Sequence, residues 1–152
     1  MAFIEDVLPV VLLILGILMS IVLSGIGSAK GAAMIGKAAA ALISEQPEKF
    51  GQSLVLQMMS ASQWLYGFII GFLIFMNFGE GLTLWVALRC LGAGSIMGLA
   101  GYFTAIQQSI AATAGIQILA KKPEHSTKGV LYSAMIETYA IFAFVISVLI
   151  VL

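Results

Sequence analysis

Four long stretches of this chain contain almost no charge, and that single feature decides what it can fold into. Residues 7–29, 51–79 and 90–120 carry no Asp, Glu, Lys or Arg, and residues 129–152 carry one, Glu137. A helix needs about 20 apolar residues to cross roughly 30 Å of hydrocarbon, and all four stretches exceed that. Inside lipid the backbone must satisfy its own hydrogen bonds, so each stretch is expected to be helical. A membrane β-barrel would need short segments of alternating polarity, and these do not alternate. With 61% hydrophobic and 9% charged residues in 152, the chain could not hide its apolar surface in water. The expected fold class is therefore all-α membrane protein.

The breaks between helices are explicit. Glu45-Gln46-Pro47-Glu48-Lys49 and Lys121-Lys122-Pro123-Glu124 each end a helix, because a proline disfavours helical geometry in the residue before it. Gly79-Glu80-Gly81 separates the middle pair, and Pro9 falls in a first turn, where a missing N–H costs nothing. From residue 7 to about 44 nothing breaks the helical pattern. A helix of roughly 55 Å follows, long enough to project beyond the bilayer on the Pro47 side. Lysines 49, 121, 122 and 128 flank the two proline loops, whereas the other end holds Glu5, Asp6 and Glu80 with Arg89. By the positive-inside rule the proline loops are cytoplasmic and both termini lie outside.

The chain is also a duplication. Pro47-Glu48 recurs 76 residues later as Pro123-Glu124, and Gly25, Ser28 and Ala29 face Gly101, Thr104 and Ala105 at the same offset. Past the loop an offset of 78 pairs Gly51 with Gly129, and Trp64 and Tyr66 with Phe142 and Phe144, which sets Met59 opposite Glu137. Two parallel hairpins are expected, over residues 1–78 and 79–152. Gly25, Gly27 and Gly31 in the first helix and Gly92, Gly94, Gly98 and Gly101 in the third supply small surfaces for close packing. One use is pairing within a chain. The other is a crowded inner wall where many identical copies surround an axis.

Two residues carry little chemistry. Cys90 is a lone cysteine, expected to be a small buried apolar group. His125 sits in a polar run and reads as a solvated loop histidine. With seven basic and seven acidic residues, no charge excess points to nucleic acid.

Glu137 is different. A charge at the bilayer centre costs about 2.5–3.5 kcal/mol on insertion scales, so such residues usually face protein and work. The bland alternative is a protonated carboxyl that bridges two helices. Met59, Ser62, Gln63 and Tyr66 follow i, i+3, i+4, i+7 spacing and share one helix face. Gln107 and Gln108 are the amides deep in the third stretch. Counted from the cytoplasmic loops, Ser62, Gln63, Gln108 and Glu137 lie roughly 15–22 Å along their helices, at one depth. Oxygen donors around a single carboxylate suit a hard monovalent cation, since calcium sites take more carboxylates. A proton carrier needs the carboxyl and one partner, so the surplus of oxygens favours Na⁺ over H⁺.

Taken together, Ser24-Gly25-Ile26-Gly27-Ser28-Ala29-Lys30-Gly31, Gln117-Ile118-Leu119-Ala120-Lys121-Lys122-Pro123-Glu124 and Met135-Ile136-Glu137-Thr138-Tyr139-Ala140 resemble the proteolipid (c-ring) subunits of V-type ATPases. The resemblance spans almost the whole chain and is strongest to subunit K of the bacterial V-type sodium ATPases. It implies a rotor ring of identical subunits in a bacterial plasma membrane, each carrying one Na⁺ on Glu137. It implies further ion contacts from Ser62, Gln63, Gln108 and the Met59 main-chain carbonyl, with Tyr66 hydrogen-bonded to Glu137. The implied partners are a stator membrane subunit with an essential arginine and a central-stalk subunit at the loops 45–49 and 121–128. The sequence departs from the sodium-carrying pattern in having Ser62 for threonine and Ser60-Ala61 for Pro-Gly. Without that proline the Met59 carbonyl must serve both ion and helix. No Walker-type phosphate loop is present, so the chain itself does no ATP chemistry. The same ring carrying H⁺ is the nearest alternative. A small multidrug/proton antiporter or a purely structural membrane protein is a more distant one.

Overall fold

A computed structural model describes residues 2–79 and 81–152. Glu80, expected in the turn, and the side chains of Glu5 and Asp6 lie outside the described residues. The architecture is all-helical. Four helices are long and apolar enough to cross a membrane: α1 (Val7–Glu45), α2 (Pro47–Phe75), α3 (Leu84–Lys121) and α4 (Pro123–Val151). The chain is an integral, multi-pass membrane protein. The expectation of long first and third helices holds, at 39 and 38 residues, about 58 and 57 Å at 1.5 Å per residue.

The ends of the helices follow local chemistry. Pro47 and Pro123 each start a 3₁₀ turn, Pro47–Lys49 and Pro123–His125, that leads into the next helix. The extended Thr83 caps α3 by accepting a hydrogen bond from the Val86 N–H at 3.3 Å. Gly79 and Gly81 both have positive φ, +146° and +91°, which a side chain would resist, so the α2–α3 connection turns where two glycines allow it. The Lys49 ammonium donates to the carbonyls of Leu119 and Ala120 at 3.0 and 3.1 Å. That contact ties the first proline loop to the end of α3, next to the second loop, and satisfies carbonyls a helix end leaves free.

Glycine lets α1 and α3 touch backbone to backbone. A Cβ on Gly27 would lie 2.6 Å from the Tyr102 Cα, and one on Gly31 would lie 3.1 Å from the Ala105 carbonyl oxygen. Gly94 faces Gly16 and Gly98 faces Met19 in the same way. This pairing consumes most of the glycines within one chain, so the stripe by itself does not call for further copies.

Two apolar clusters hold the bundle, one towards each end. Leu13, Ile70, Ile74, Cys90, Met97 and Val151 pack towards the termini, and Cys90 is fully buried as expected. Ile35, Leu56, Ala112, Ile116 and Leu119 pack towards the proline loops. On α2 the polar residues Ser60, Ser62, Gln63 and Tyr66 fall between Leu56 and Ile70, and on α3 Gln108 falls between Met97 and Ala112. The bundle thus has a polar layer between two oily ones. Its outside is apolar: Phe142, Met135 and Tyr139 on α4 are each exposed by more than two thirds. Such a surface belongs in lipid. His125 lies in the second loop region, exposed, 4.0 Å from Glu124.

Candidate ion-binding site

α2 is not a uniform helix. At Met59–Ala61 it tightens into one 3₁₀ turn, and the Met59 N–H bonds to Leu56 rather than one residue further back. The 3₁₀ turn therefore forms here without the Pro-Gly pair. Its effect is to disturb the regular ladder beside the polar layer, and the Trp64 N–H accordingly finds the Ser28 hydroxyl of α1 at 3.1 Å. The Met59 carbonyl accepts from the Ser62 hydroxyl at 3.4 Å. Ser60, inside the turn, is fully buried and its hydroxyl has no hydrogen-bond partner.

From this turn a chain of hydrogen bonds runs to Glu137. The one Ser62 hydroxyl hydrogen is shared between the Met59 carbonyl and Gln63 Oε1, each at 3.4 Å, and Gln63 Nε2 donates to Gln108 Oε1. Gln108 Nε2 reaches Glu137 Oε2 at 3.4 Å, and Tyr66 Oη donates to Glu137 Oε1 at 2.7 Å. Three helices thus meet at one carboxylate: α2 with Met59, Ser62, Gln63 and Tyr66, α3 with Gln108, and α4 with Glu137. All six residues named from the sequence fall in one connected cluster. Gln107, the other amide weighed at that depth, faces outward, while Gln63 and Gln108 are completely buried.

The surroundings fix these groups. Tyr66 packs on Phe144 with ring centres 5.2 Å apart, which holds its hydroxyl over the carboxylate. The Ser133 hydroxyl of α4 donates to the Gln108 carbonyl at 3.1 Å and ties α3 to α4 four residues before Glu137. Sequence reasoning missed Ser133, and the only signal for it was its place one turn from Glu137 on the same helix. Among the described residues no three His, Cys, Asp or Glu side chains gather to hold a metal ion. The negative charge at the site is that of one carboxylate, surrounded by neutral oxygens and amides.

The ATP synthase C subunit family matches the chain twice, over residues 15–74 and 91–150. The chain belongs to that family. It is 57% identical to the V-type sodium ATPase subunit K of Enterococcus hirae over 131 residues, 86% of this chain and 84% of that protein. It is 35% identical to the A-type ATP synthase subunit K of Methanocaldococcus jannaschii over 141 residues, 93% of this chain and 62% of that one. The 16 kDa proteolipid of the V-type proton ATPase of Bos taurus is 25% identical over 136 residues, 90% and 88% of the two chains. Family membership sets the antiporter and purely structural alternatives aside.

The double match corrects the register of the repeat. The two matched stretches begin 76 residues apart and end 76 residues apart. A helix contact recurs at the same spacing. A Cβ on Gly71 would lie 3.7 Å from the Ile17 carbonyl oxygen, and Ser147 Oγ donates to the Ala93 carbonyl at 3.0 Å. The offset of 78 beyond the loop is therefore wrong: it rested on aligning aromatic residues, which lipid-facing positions collect for their own reasons. Ala61, not Met59, stands opposite Glu137, and Tyr66 stands opposite Phe142.

Proposed function

We propose that this chain is a rotor-ring subunit of a rotary V-type ATPase and carries one Na⁺ per subunit across the membrane on Glu137. The observation that carries the reading is the set of oxygen-bearing groups converging on one intramembrane carboxylate. The name of the Enterococcus hirae relative supports the choice of ion. An amide has a donor and an acceptor end, and turning the ends of Gln63 and Gln108 presents their oxygens to a cation. With Glu137, the Ser62 hydroxyl and the Met59 carbonyl, these oxygens replace the water the ion gives up. Tyr66 holds one carboxylate oxygen and closes the site.

Charge explains the cycle. A loaded site is neutral and can face lipid as the ring turns. An empty Glu137 is an anion and must sit where polar protein meets it. We assign that place to a stator membrane subunit, whose essential arginine competes with the ion for the carboxylate. The hairpin loops, 45–49 and 121–128, face the cytoplasm and dock a central stalk, while both termini lie outside a bacterial plasma membrane. Each hairpin, 1–78 and 79–152, is one repeat, and only the second carries the ion-binding acid. ATP hydrolysis or synthesis belongs to a soluble head.

The test is ATP-driven uptake of ²²Na⁺ into vesicles holding the complete ATPase. Glu137→Gln is expected to abolish uptake with the ring still assembled, and a variant that still pumps contradicts the proposal. A second reading has the same ring carrying H⁺, since Tyr66 and Gln108 alone suffice as hydrogen-bond partners for a carboxyl. ATP-driven acidification that is indifferent to Na⁺ favours it.

A further inference from the structure

We propose that Ser20 in α1 is a positioning residue for the Glu137 site: it pins Gly67 of α2 so that the neighbouring Tyr66 stays closed on the carboxylate. The proposal deepens the function argued above and rests on it for the identity of the ion.

Within α1 the residues Met19–Leu23 form a π-helical turn, the wide turn that often marks functional places in helices. The turn rearranges the local ladder. The Ser24 N–H bonds to the Ile21 carbonyl, and the Ser24 hydroxyl donates instead to the Ser20 carbonyl at 2.5 Å. The Ser20 hydroxyl itself reaches outside its own helix. It donates to the Gly67 carbonyl at 2.7 Å, and Ser20 is fully buried. Gly67 has no room for a side chain. A Cβ there would lie 2.5 Å from the Ser20 carbonyl oxygen and 2.8 Å from the Ser24 Cβ. On the other side, the turn abuts Gly98 of α3 through Met19. The π turn is thus wedged between two helices, and its one outward hydrogen bond lands on the residue that follows Tyr66.

The duplication gives an internal comparison. At the offset of 76, Ser20 corresponds to Ile96, Gly67 to Ala143 and Tyr66 to Phe142. The helix there is regular α-helix throughout Leu84–Lys121. The half that holds a closing tyrosine has the π turn and the serine; the half that has phenylalanine has neither. A hydrogen bond between helices in lipid has no water competing for its donor, so its loss lets α2 shift at Gly67. Tyr66 is then released from Glu137.

The experiment measures carbodiimide labelling of Glu137 in intact rings, first in Na⁺-free buffer at fixed pH. Ser20→Ala is expected to speed labelling on the order of threefold to tenfold, the loss of one hydrogen bond. Ser20→Thr keeps the hydroxyl and restores the slow rate. In a Tyr66→Phe background, Ser20→Ala adds nothing further, because the contact it positions is already gone. Ser147→Ala removes another buried serine-to-carbonyl bond, one that joins α4 to α3 rather than α1 to α2, and serves as the structural control, with no change expected. The proposal is overturned by an unchanged rate in Ser20→Ala, by an effect that multiplies with Tyr66→Phe, or by equal acceleration in Ser147→Ala. Titrating Na⁺ into wild-type rings tests the ion separately. Absence of protection there defeats the sodium reading, whereas the Na⁺-free rates decide the role of Ser20.

Discussion

Tyr66 donates its phenolic hydrogen to Glu137 at 2.7 Å, from a neighbouring helix and 71 residues away in sequence. The bond makes the site a closed unit: the carboxylate that lipid would reject is covered on one oxygen by a phenol and on the other by the Gln108 amide. Removing the hydroxyl with Tyr66→Phe keeps the ring that packs on Phe144 and removes one hydrogen bond to a charged group. Such a bond is worth about 1.5–3 kcal/mol at most sites. Na⁺ affinity is expected to fall about tenfold or more, with faster ion release, as read by ²²Na⁺ binding to isolated rings.

Gln108 connects the rest of the cluster to the carboxylate. Gln108→Leu leaves the Gln63 amide without its partner and removes one of the proposed oxygen ligands. Na⁺ protection of Glu137 is expected to disappear while the carboxyl still reacts with carbodiimide, which separates ion selection from proton chemistry. Retained protection in this variant removes Gln108 from the ligand set.

Ser60 offers a test of polar burial inside the 3₁₀ turn. Its hydroxyl is buried without a partner, and an unsatisfied polar group costs about 1–3 kcal/mol. Ser60→Ala keeps the Cβ and removes that cost. The ring is expected to resist thermal dissociation slightly better, with ion binding unchanged. Loss of stability instead indicates that the hydroxyl is used.

Gly94 tests the α1–α3 seam. Any side chain there enters the backbone of Gly16, and two helix backbones cannot yield as a flexible side chain can. Gly94→Val is expected to cost about 1–3 kcal/mol or more by overpacking, seen as reduced folded protein in detergent. Gly92→Ala, with nothing within 4 Å of its added Cβ, is the neutral comparison.

The helices and the site were legible from the sequence for physical reasons. Uncharged runs of this length are helices in lipid, and Glu137 needs partners there, so one depth pointed to Ser62, Gln63 and Gln108, and the helix-face spacing of Met59, Ser62, Gln63 and Tyr66 added the tyrosine. What stayed hidden depends on backbone geometry rather than residue type. Nothing in Met19-Ser20-Ile21-Val22-Leu23 announces a π turn, and nothing in Ser60-Ala61 announces a 3₁₀ turn once the proline is gone. The repeat register failed beyond the loop because weak aromatic matches outweighed the constant spacing of the prolines. Backbone contacts inside one chain use most of the glycine stripe, so the support for identical copies comes from the family rather than from the stripe.

We propose above all that Glu137 and its oxygen-bearing neighbours select Na⁺. The most direct measurement is the rate of carbodiimide labelling of Glu137 in wild-type rings across a range of Na⁺ concentrations at one pH. Saturable protection by Na⁺, absent with K⁺ at the same ionic strength, is the predicted result. A labelling rate that changes with pH and ignores Na⁺ would contradict it and make the ring a proton carrier.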